Sequence, residues 1–368
     1  MPLLAQQGTT VPATQEQKVQ EETSRFGYLA PAQDAYQGAW RVDDAQQGAA
    51  LWKKLCEARP ADVNAQFNWF RSERNARLSA NNGQLRSSDR MELNNIADRI
   101  NATAPSSFEQ HLSTYYVKFP DHTAFSALDQ AAEADPDRSE LILPKLIQAN
   151  LNGDRSAMDR GCADLETKAA LSPALLDVAS DLLASVATNS VVFCNGEMDT
   201  YPAFVRQRKN TQRLDVLIVD QRLLADANYR QRIWTEAQAS GPVPSPGPDY
   251  AVAMHKATRR PVALALSLDP DWFDAFPGQL CATGISFEVC NDGRGDVKLL
   301  EQRWAMMKKT VAAGPLSRNY LLPGSVLLQR YRAKDDEANT ASMEGELRRI
   351  ADQLGATPEL YKAGVLLH

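Results

Sequence analysis

The sequence predicts two joined architectures: a helical-repeat N-terminal domain over residues 39–187 and a three-layer α/β domain with a mainly parallel sheet over residues 188–368. Three observations predict it. Apolar residues recur at helical spacing from Ala39 to Leu183 with almost no alternating stretch. After Thr188 the pattern changes to four short runs rich in Val, Ile and Leu, namely SVVFC, LDVLIVD, PVALALSL and ISFEVC, separated by segments long enough for helices. At 368 residues the chain also exceeds the size at which a single core keeps growing, which favours two compact units.

The elements follow in order. Residues 1–22, MPLLAQQGTTVPATQEQKVQEE, are too polar for a core and read as a disordered tail or the remainder of a trimmed signal. Leu-Leu-Ala before a Gln-, Thr- and Pro-rich stretch is similar to the end of a secretory signal and the start of a mature chain; a cytoplasmic protein with a polar tail fits as well. Leu51, Trp52, Leu55 and Cys56 share one helix face, Pro60 breaks the helix, and Phe67, Trp69 and Phe70 mark the next. A second helix-break-helix places Leu128, Ala131 and Ala132 before an Asp-Pro and Leu141, Leu146 and Ile147 after it. Ala at the contact and Pro just past the helix are what tetratricopeptide-like hairpins use to pack closely and stop cleanly. Leu175 to Ala187 is expected to close the array.

In the second half, runs apolar on both faces imply strands buried on both faces, hence a parallel sheet with crossover helices. TYPAFVRQRKN is the first expected crossover and QRLLADANYRQRIWTEAQ the second. GPVPSPGP, Gly241 to Pro248, is expected to be a surface loop. DVKLLEQRWAMMKKTVAAG reads as an amphipathic helix with a Gly stop, RYRAKDDE as a solvated connection, and ASMEGELRRIADQLGAT as a final helix ending at Gly355.

Composition narrows the function classes. Forty Lys and Arg against 46 Asp and Glu, a formal net charge of -6, mixed along the chain, argue against a nucleic-acid partner. No apolar run reaches the roughly 18 to 20 residues needed to cross a bilayer, so a soluble chain without a membrane span is expected. Five cysteines contain no C-x-x-C pair, and no metal site is assigned. Cys281 and Cys290 flank a short segment and bridge if the compartment is oxidising; buried free thiols are the commoner arrangement. Neither G-x-S-x-G nor H-E-x-x-H occurs, so no catalytic residue and no cofactor is assigned.

The most informative stretch is VVFCNGEMDTYPAF, Val191 to Phe204. Four apolar residues run into Asn-Gly, and Asp-Thr then precedes a Pro that opens a helix. In the plain reading Asn-Gly takes the turn and Asp199 or Thr200 caps the helix, with Pro202 tolerated in its first turn. In the functional reading the loop lies past a strand carboxyl end, where open parallel sheets bind ligands. Polar residues follow three strands: Asn195, Gly196, Glu197, Asp199 and Thr200 after the first, Asp220 and Arg222 after the second, and Asp269 after the third. These eight residues are the candidate ligand-binding rim. Four carboxylates against Arg222 suit sugar hydroxyls or a hard cation better than a phosphate, and no Gly-rich phosphate loop is present.

VVFCNGEMDTYPAFVRQ, RLDVLIVDQRLL, RRPVALALSLDPDW and ATGISFEVC together resemble the soluble C-terminal part of a family of large bacterial multi-pass membrane proteins of unknown function. Its membrane half is glycosyltransferase-C-like, similar to protein O-mannosyltransferases. The resemblance covers about Ser190 to Gln302. Asn195, Gly196, Asp199, Thr200 and Pro202 fit the family's T-N-G-D-N-D-T-[FY]-P pattern, whereas Glu197 and Met198 depart from it. It implies an α/β fold and an extracytoplasmic setting; glycosyl transfer belongs to the membrane half and is not carried over.

The sequence therefore favours a non-catalytic accessory or interaction protein that docks a partner protein on its helical array, in the periplasm or at the outer membrane, within a membrane-associated complex. The alternatives are an enzyme or a sugar- or cation-binding module using the strand-end rim in glycan processing, and a cytoplasmic location.

Overall fold

The computed structural model describes residues 31–38, 42–81, 85–290, 293 and 295–367, with positions 14 and 17 standing alone before them. The tail expected over 1–22 lies, apart from those two positions, outside the described residues.

Among the described residues, eight α-helices follow one another in the N-terminal half: α1 (Val42–Ala58), α2 (Val63–Ala80), α3 (Ser87–Thr103), α4 (Phe108–Lys118), α5 (Ala124–Ala134), α6 (Ile142–Asn152), α7 (Arg155–Thr167) and α8 (Pro173–Ser185). The breaks are local chemistry. α1 stops two residues before Pro60, and α2 restarts where Asp62 accepts the Ala65 N–H at 2.9 Å as an N-cap. α5 ends before Asp135-Pro136, and a 3₁₀ turn at Ser139–Leu141 leads into α6. From α1 to α7 consecutive helices pack as neighbours, with Phe70, Leu93, Ile100, Leu112 and Leu128 in the buried interior. Fully burying a residue of this size stabilises by about 1.5–3 kcal/mol, so the array rests on these stripes rather than on helix propensity.

Among the described residues, the second half holds a mixed sheet of five strands. β1 (Val191–Cys194), β2 (Leu217–Asp220) and β3 (Val262–Ala265) are the expected apolar runs, and β1 pairs parallel with both others. β1 and β3 are buried at every position, as runs apolar on both faces require. The sheet order is β2-β1-β3-β5-β4. The fourth expected run forms β5 (Ser286–Val289), which pairs antiparallel with β3, and β4 (Leu280–Ala282) completes a hairpin on that edge. The hairpin explains the cysteines. Antiparallel pairing sets Leu280 opposite Val289, so Cys281 and Cys290 arrive together and form a disulfide with a Cα–Cα distance of 6.1 Å. This corrects the free-thiol reading for that pair; Cys56, Cys162 and Cys194 are buried free thiols.

α9 (Thr200–Asn210) is the first crossover. The second is divided: a 3₁₀ turn at Gln221–Ala225, then α10 (Ala227–Glu236), a loop, and α11 (Pro248–Ala257). The Pro-rich segment is loop as expected except at its last residue, since Pro248 opens α11, where its missing N–H leaves no bond unmade. Phe193 of β1 packs its ring 6.2 Å from Tyr250 of α11 and 5.5 Å from Trp272 of the short α12 (Pro270–Asp274). α13 (Val297–Met306) ends eight residues before the expected Gly314 stop. The backbone N–H groups of Lys308 and Lys309 leave the helix to donate to the Asp181 carboxylate of α8 at 3.0 and 3.3 Å. A 3₁₀ helix at Gly314–Tyr320 leads to α14 (Leu321–Arg332), α15 (Glu337–Gln353) and α16 (Thr357–Lys362).

The change of period at residue 188 coincides with the approach to β1, yet the apolar core is continuous across it, from Tyr36 through Leu182 and Val192 to Leu366. α8 is the seam. It packs on α9, Ser185 Oγ accepts the Ile285 N–H at 3.0 Å, and Tyr320 donates to Asp181 at 2.8 Å.

Candidate functional site

β1 lies in the middle of the parallel strands. The chain leaves it for β2 on one side and, after the second crossover, returns as β3 on the other. Where strand order reverses in this way, loops diverge and a crevice opens outside the carboxyl ends. A cavity of about 330 Å³ occupies that position. Asn195, Glu197, Met198 and Asp199 of the β1 loop line one wall, and Leu266, Ser267 and Leu268 after β3 line another. The remaining walls come from distant segments: Leu78 of α2, and Leu316, Arg318 and Asn319 of the Gly314–Tyr320 turn. Helical array, sheet and C-terminal segment thus all contribute.

The β1 loop is organised by Asp199. One carboxylate oxygen accepts the Gly196 N–H at 2.8 Å and the Thr200 N–H at 2.6 Å; the other accepts the Asn195 N–H at 2.8 Å and the Ser267 hydroxyl. The Thr200 hydroxyl adds a further contact at 3.2 Å. Asp199 therefore caps α9, as the plain reading of the sequence has it, and also ties the β1 loop to the β3 loop. Burial pushes its carboxyl above the ordinary value, against the hydrogen bonds that lower it. Asn195 spans the same two loops, donating to the Ser267 carbonyl at 2.7 Å while its own side-chain oxygen accepts from Gln221 at 3.2 Å.

Two residues away, Glu197 is held in a different way. Its carboxylate pairs with Arg74 of α2 and, at 3.5 Å, with Arg222. Arg222 also makes a two-pronged contact with Asp220, at 2.8 and 3.0 Å, and Asp220 accepts the Tyr201 hydroxyl at 2.9 Å. Burial alone would raise the Glu197 carboxyl, but the two guanidiniums outweigh it and hold the group below its usual range. Gly196 makes this chain of charges fit. Its φ of 122° lies in the left-handed region, and a Cβ there would run into the Arg222 guanidinium.

Of the eight rim candidates, Asn195, Glu197, Asp199 and Arg222 line the cavity. Gly196 gives the loop its shape. Thr200 is buried beneath the loop and accepts the Gly196 N–H at 3.1 Å. Asp220 is fully buried behind Arg222. Asp269 lies at the start of α12 and is not among the residues lining the cavity. Arg74, Ser267, Arg318 and Asn319 were not candidates. Arg74 left one trace in the sequence: with Phe67, Phe70 and Arg71 it falls on the core-facing stripe of α2, where an arginine needs a buried partner. Its presence also alters the charge balance, since Arg222 is no longer the lone cation beside the carboxylates.

Among the described residues no group of three or more His, Cys, Asp or Glu could hold a metal ion, and no helix is long and apolar enough to cross a membrane. Burial raises the Cys162 thiol to about 12 and the Cys56 thiol to about 11, so both are protonated and unreactive at neutral pH. His255 packs its ring edge-on against Phe276 and is lowered by burial.

The TMEM260-associated domain 2 family model matches residues 175–266. The matched stretch begins in α8, takes in β1, β2 and their crossovers, and ends one residue past β3; it therefore contains the parallel strands and the Asn195–Thr200 loop. It overlaps the resemblance over Ser190 to Gln302. No curated protein and no solved structure matches the chain.

Proposed function

We propose that this chain is a non-catalytic, extracytoplasmic binding module whose strand-end cavity takes a neutral, hydroxyl-rich ligand of the sugar class. The observation that carries the reading is the cavity itself: it sits at the topological switch point, and its walls combine acceptors and donors with the apolar side chains of Met198, Leu78, Leu266, Leu268 and Leu316. Sugars present this combination of hydroxyls and apolar ring faces. The carboxylates argue for binding rather than turnover. Asp199 is occupied by donors of its own loop and the Ser267 hydroxyl, and Glu197 is fixed between two guanidiniums, so neither is placed to exchange a proton with substrate.

The Cys281–Cys290 disulfide supports an oxidising compartment, the periplasm or another extracytoplasmic space. The match to a TMEM260-associated domain supports work beside a membrane protein; a bacterial, glycosyltransferase-C-like half for that partner rests on the resemblance over Ser190 to Gln302 alone. In this reading the outer face of the array, where Met91 of α3 is 65% exposed, is the surface left for that partner.

Calorimetric titration with a panel of neutral mono- and disaccharides, divalent cations and nucleotides tests the site. At least one neutral sugar is expected to bind, and Asn319→Trp, which adds bulk at a residue lining the cavity, is expected to abolish its binding with the fold intact. Nucleotide binding in the cavity, or no heat from any sugar at millimolar concentration, would refute the reading.

A further inference from the structure

The polar atoms in the walls of the strand-end cavity are mostly engaged with one another. Asn195 donates to the Ser267 carbonyl and accepts from Gln221, the Ser267 hydroxyl donates to Asp199, and Arg222 donates to Asp220 and Glu197. Arg318 donates to the Glu359 carboxylate and the Leu354 carbonyl, both at 3.4 Å. Two lining residues keep groups free. Glu197 takes both guanidinium contacts on Oε1, and its Oε2 has no partner among the described residues. Oε2 is also not sealed from water, unlike Nε and Nη1 of Arg74. Asn319 is half-buried, and its side-chain amide likewise has no partner among the described residues and is not sealed. The other lining side chains include those of Leu78, Met198, Leu266, Leu268 and Leu316.

A plain hexose suits this set poorly. It carries a hydroxyl on nearly every ring carbon, and each one loses its hydration on entering and needs a partner in return. The walls offer one free carboxylate oxygen and one free amide, set among apolar side chains. An acetamido group in place of one hydroxyl carries an N–H donor, a carbonyl acceptor and a methyl. The N–H matches Oε2 of Glu197, the carbonyl matches the Asn319 N–H, and the methyl matches the leucine and methionine side chains. Arg74 and Arg222 hold the Glu197 carboxyl below its usual range, so Oε2 is a charged acceptor at neutral pH.

We infer that the ligand of the strand-end cavity is an N-acetylated amino sugar, which presupposes that the cavity takes a sugar. The acetamido group binds through its amide to Glu197 and Asn319 and through its methyl to the apolar side chains. An acidic sugar would bring its carboxylate towards Oε2 and would find Arg318 already paired with Glu359. A protonated amino sugar would satisfy Oε2 but would leave Asn319 without a carbonyl and the apolar side chains without a methyl.

The test is calorimetric titration of the full chain with N-acetylglucosamine and N-acetylgalactosamine against glucose, galactose, glucosamine and glucuronate, with saturation-transfer NMR of the bound sugars. One of the two acetamido sugars is expected to bind about tenfold or more tighter than its parent hexose, with saturation strongest at its acetamido methyl. Asn319→Asp keeps the side-chain size at a half-buried position, so the fold should survive while the amide donor gives way to a carboxylate that repels the ligand carbonyl. It should cut the preference for the acetamido sugar over its parent hexose about tenfold. If a parent hexose, glucosamine or glucuronate binds as tightly as the acetamido sugars, if saturation is strongest at the ring protons, or if Asn319→Asp leaves the preference unchanged, the acetamido assignment is overturned while sugar binding itself stands. No heat from any of these sugars overturns both.

Discussion

Asp199 and Glu197 stand two residues apart in one loop and are held by opposite means. Asp199 is satisfied almost entirely from within its own loop, by the N–H groups of Asn195, Gly196 and Thr200, with Ser267 as the one distant donor. Glu197 is satisfied from outside, by Arg222 at the next strand end and by Arg74, 123 residues earlier in the chain. The first arrangement makes a loop; the second joins the helical array to the sheet. A carboxylate beside Asn-Gly and a helix start declares its capping role in the sequence, whereas a carboxylate that bridges halves does so only when both halves are folded.

The largest effect should come from breaking the bridge. Arg74→Ala leaves Glu197 with a single cationic partner in a buried setting and should destabilise the chain by about 3–5 kcal/mol in thermal or denaturant unfolding. A loss below about 1 kcal/mol would mean that the bridge is a surface-type pair and that the comparison is false.

Removing the loop organiser should cost less. Asp199→Ala deletes the helix cap and several charge-assisted acceptors, for an expected loss of about 2 kcal/mol. This exceeds the roughly 1 kcal/mol of a cap alone because Ser267 and Asn195 lose an acceptor as well. Asp199→Asn, which retains one acceptor oxygen, should fall in between. Equal losses for Asp199→Ala and Arg74→Ala would erase the distinction between local and bridging roles.

The subtlest distinction is in pH dependence, where the two carboxylates should act with opposite sign. The folded-state pKa of Glu197 is depressed below its ordinary 4.5. Its contribution is therefore full above about pH 4.5 and is lost as pH falls through the depressed value. The Asp199 pKa is raised above its ordinary 3.8, so the folded state takes up a proton first and gains stability as pH falls from that raised value towards 3.8. Glu197→Gln should flatten the acid-side loss of stability, and Asp199→Asn should steepen it. Parallel pH profiles for the two variants would contradict both assignments.

What could be read from the sequence follows the same division. The helix breaks at Pro60 and Asp135-Pro136, the buried runs of β1, β2 and β3 and the cap at Asp199 are local signals, and they were legible. The antiparallel direction of β5 was not, because a run such as Ser286–Val289 carries no mark of strand direction. β4 is three residues long, too short for a pattern. The early end of α13 depends on Asp181, more than 120 residues away, which draws off the Lys308 and Lys309 N–H groups. At the site, the strand-end loops were legible as a rim because parallel sheets place them together, but the roof from α2 and from the Gly314–Tyr320 turn is a product of packing between segments whose sequences say nothing of each other.

The most direct measurement of the claim that both halves build one site is a double-mutant cycle on Arg74 and Glu197. Unfolding free energies are compared for Arg74→Met, Glu197→Gln and the double variant. The account predicts a coupling of about 2 kcal/mol or more, with the double variant less destabilised than the sum of the singles, because removing both charges leaves neither stranded. Additivity within about 0.5 kcal/mol would show that the two residues do not work together and that the helical array takes no part in holding the strand-end loop.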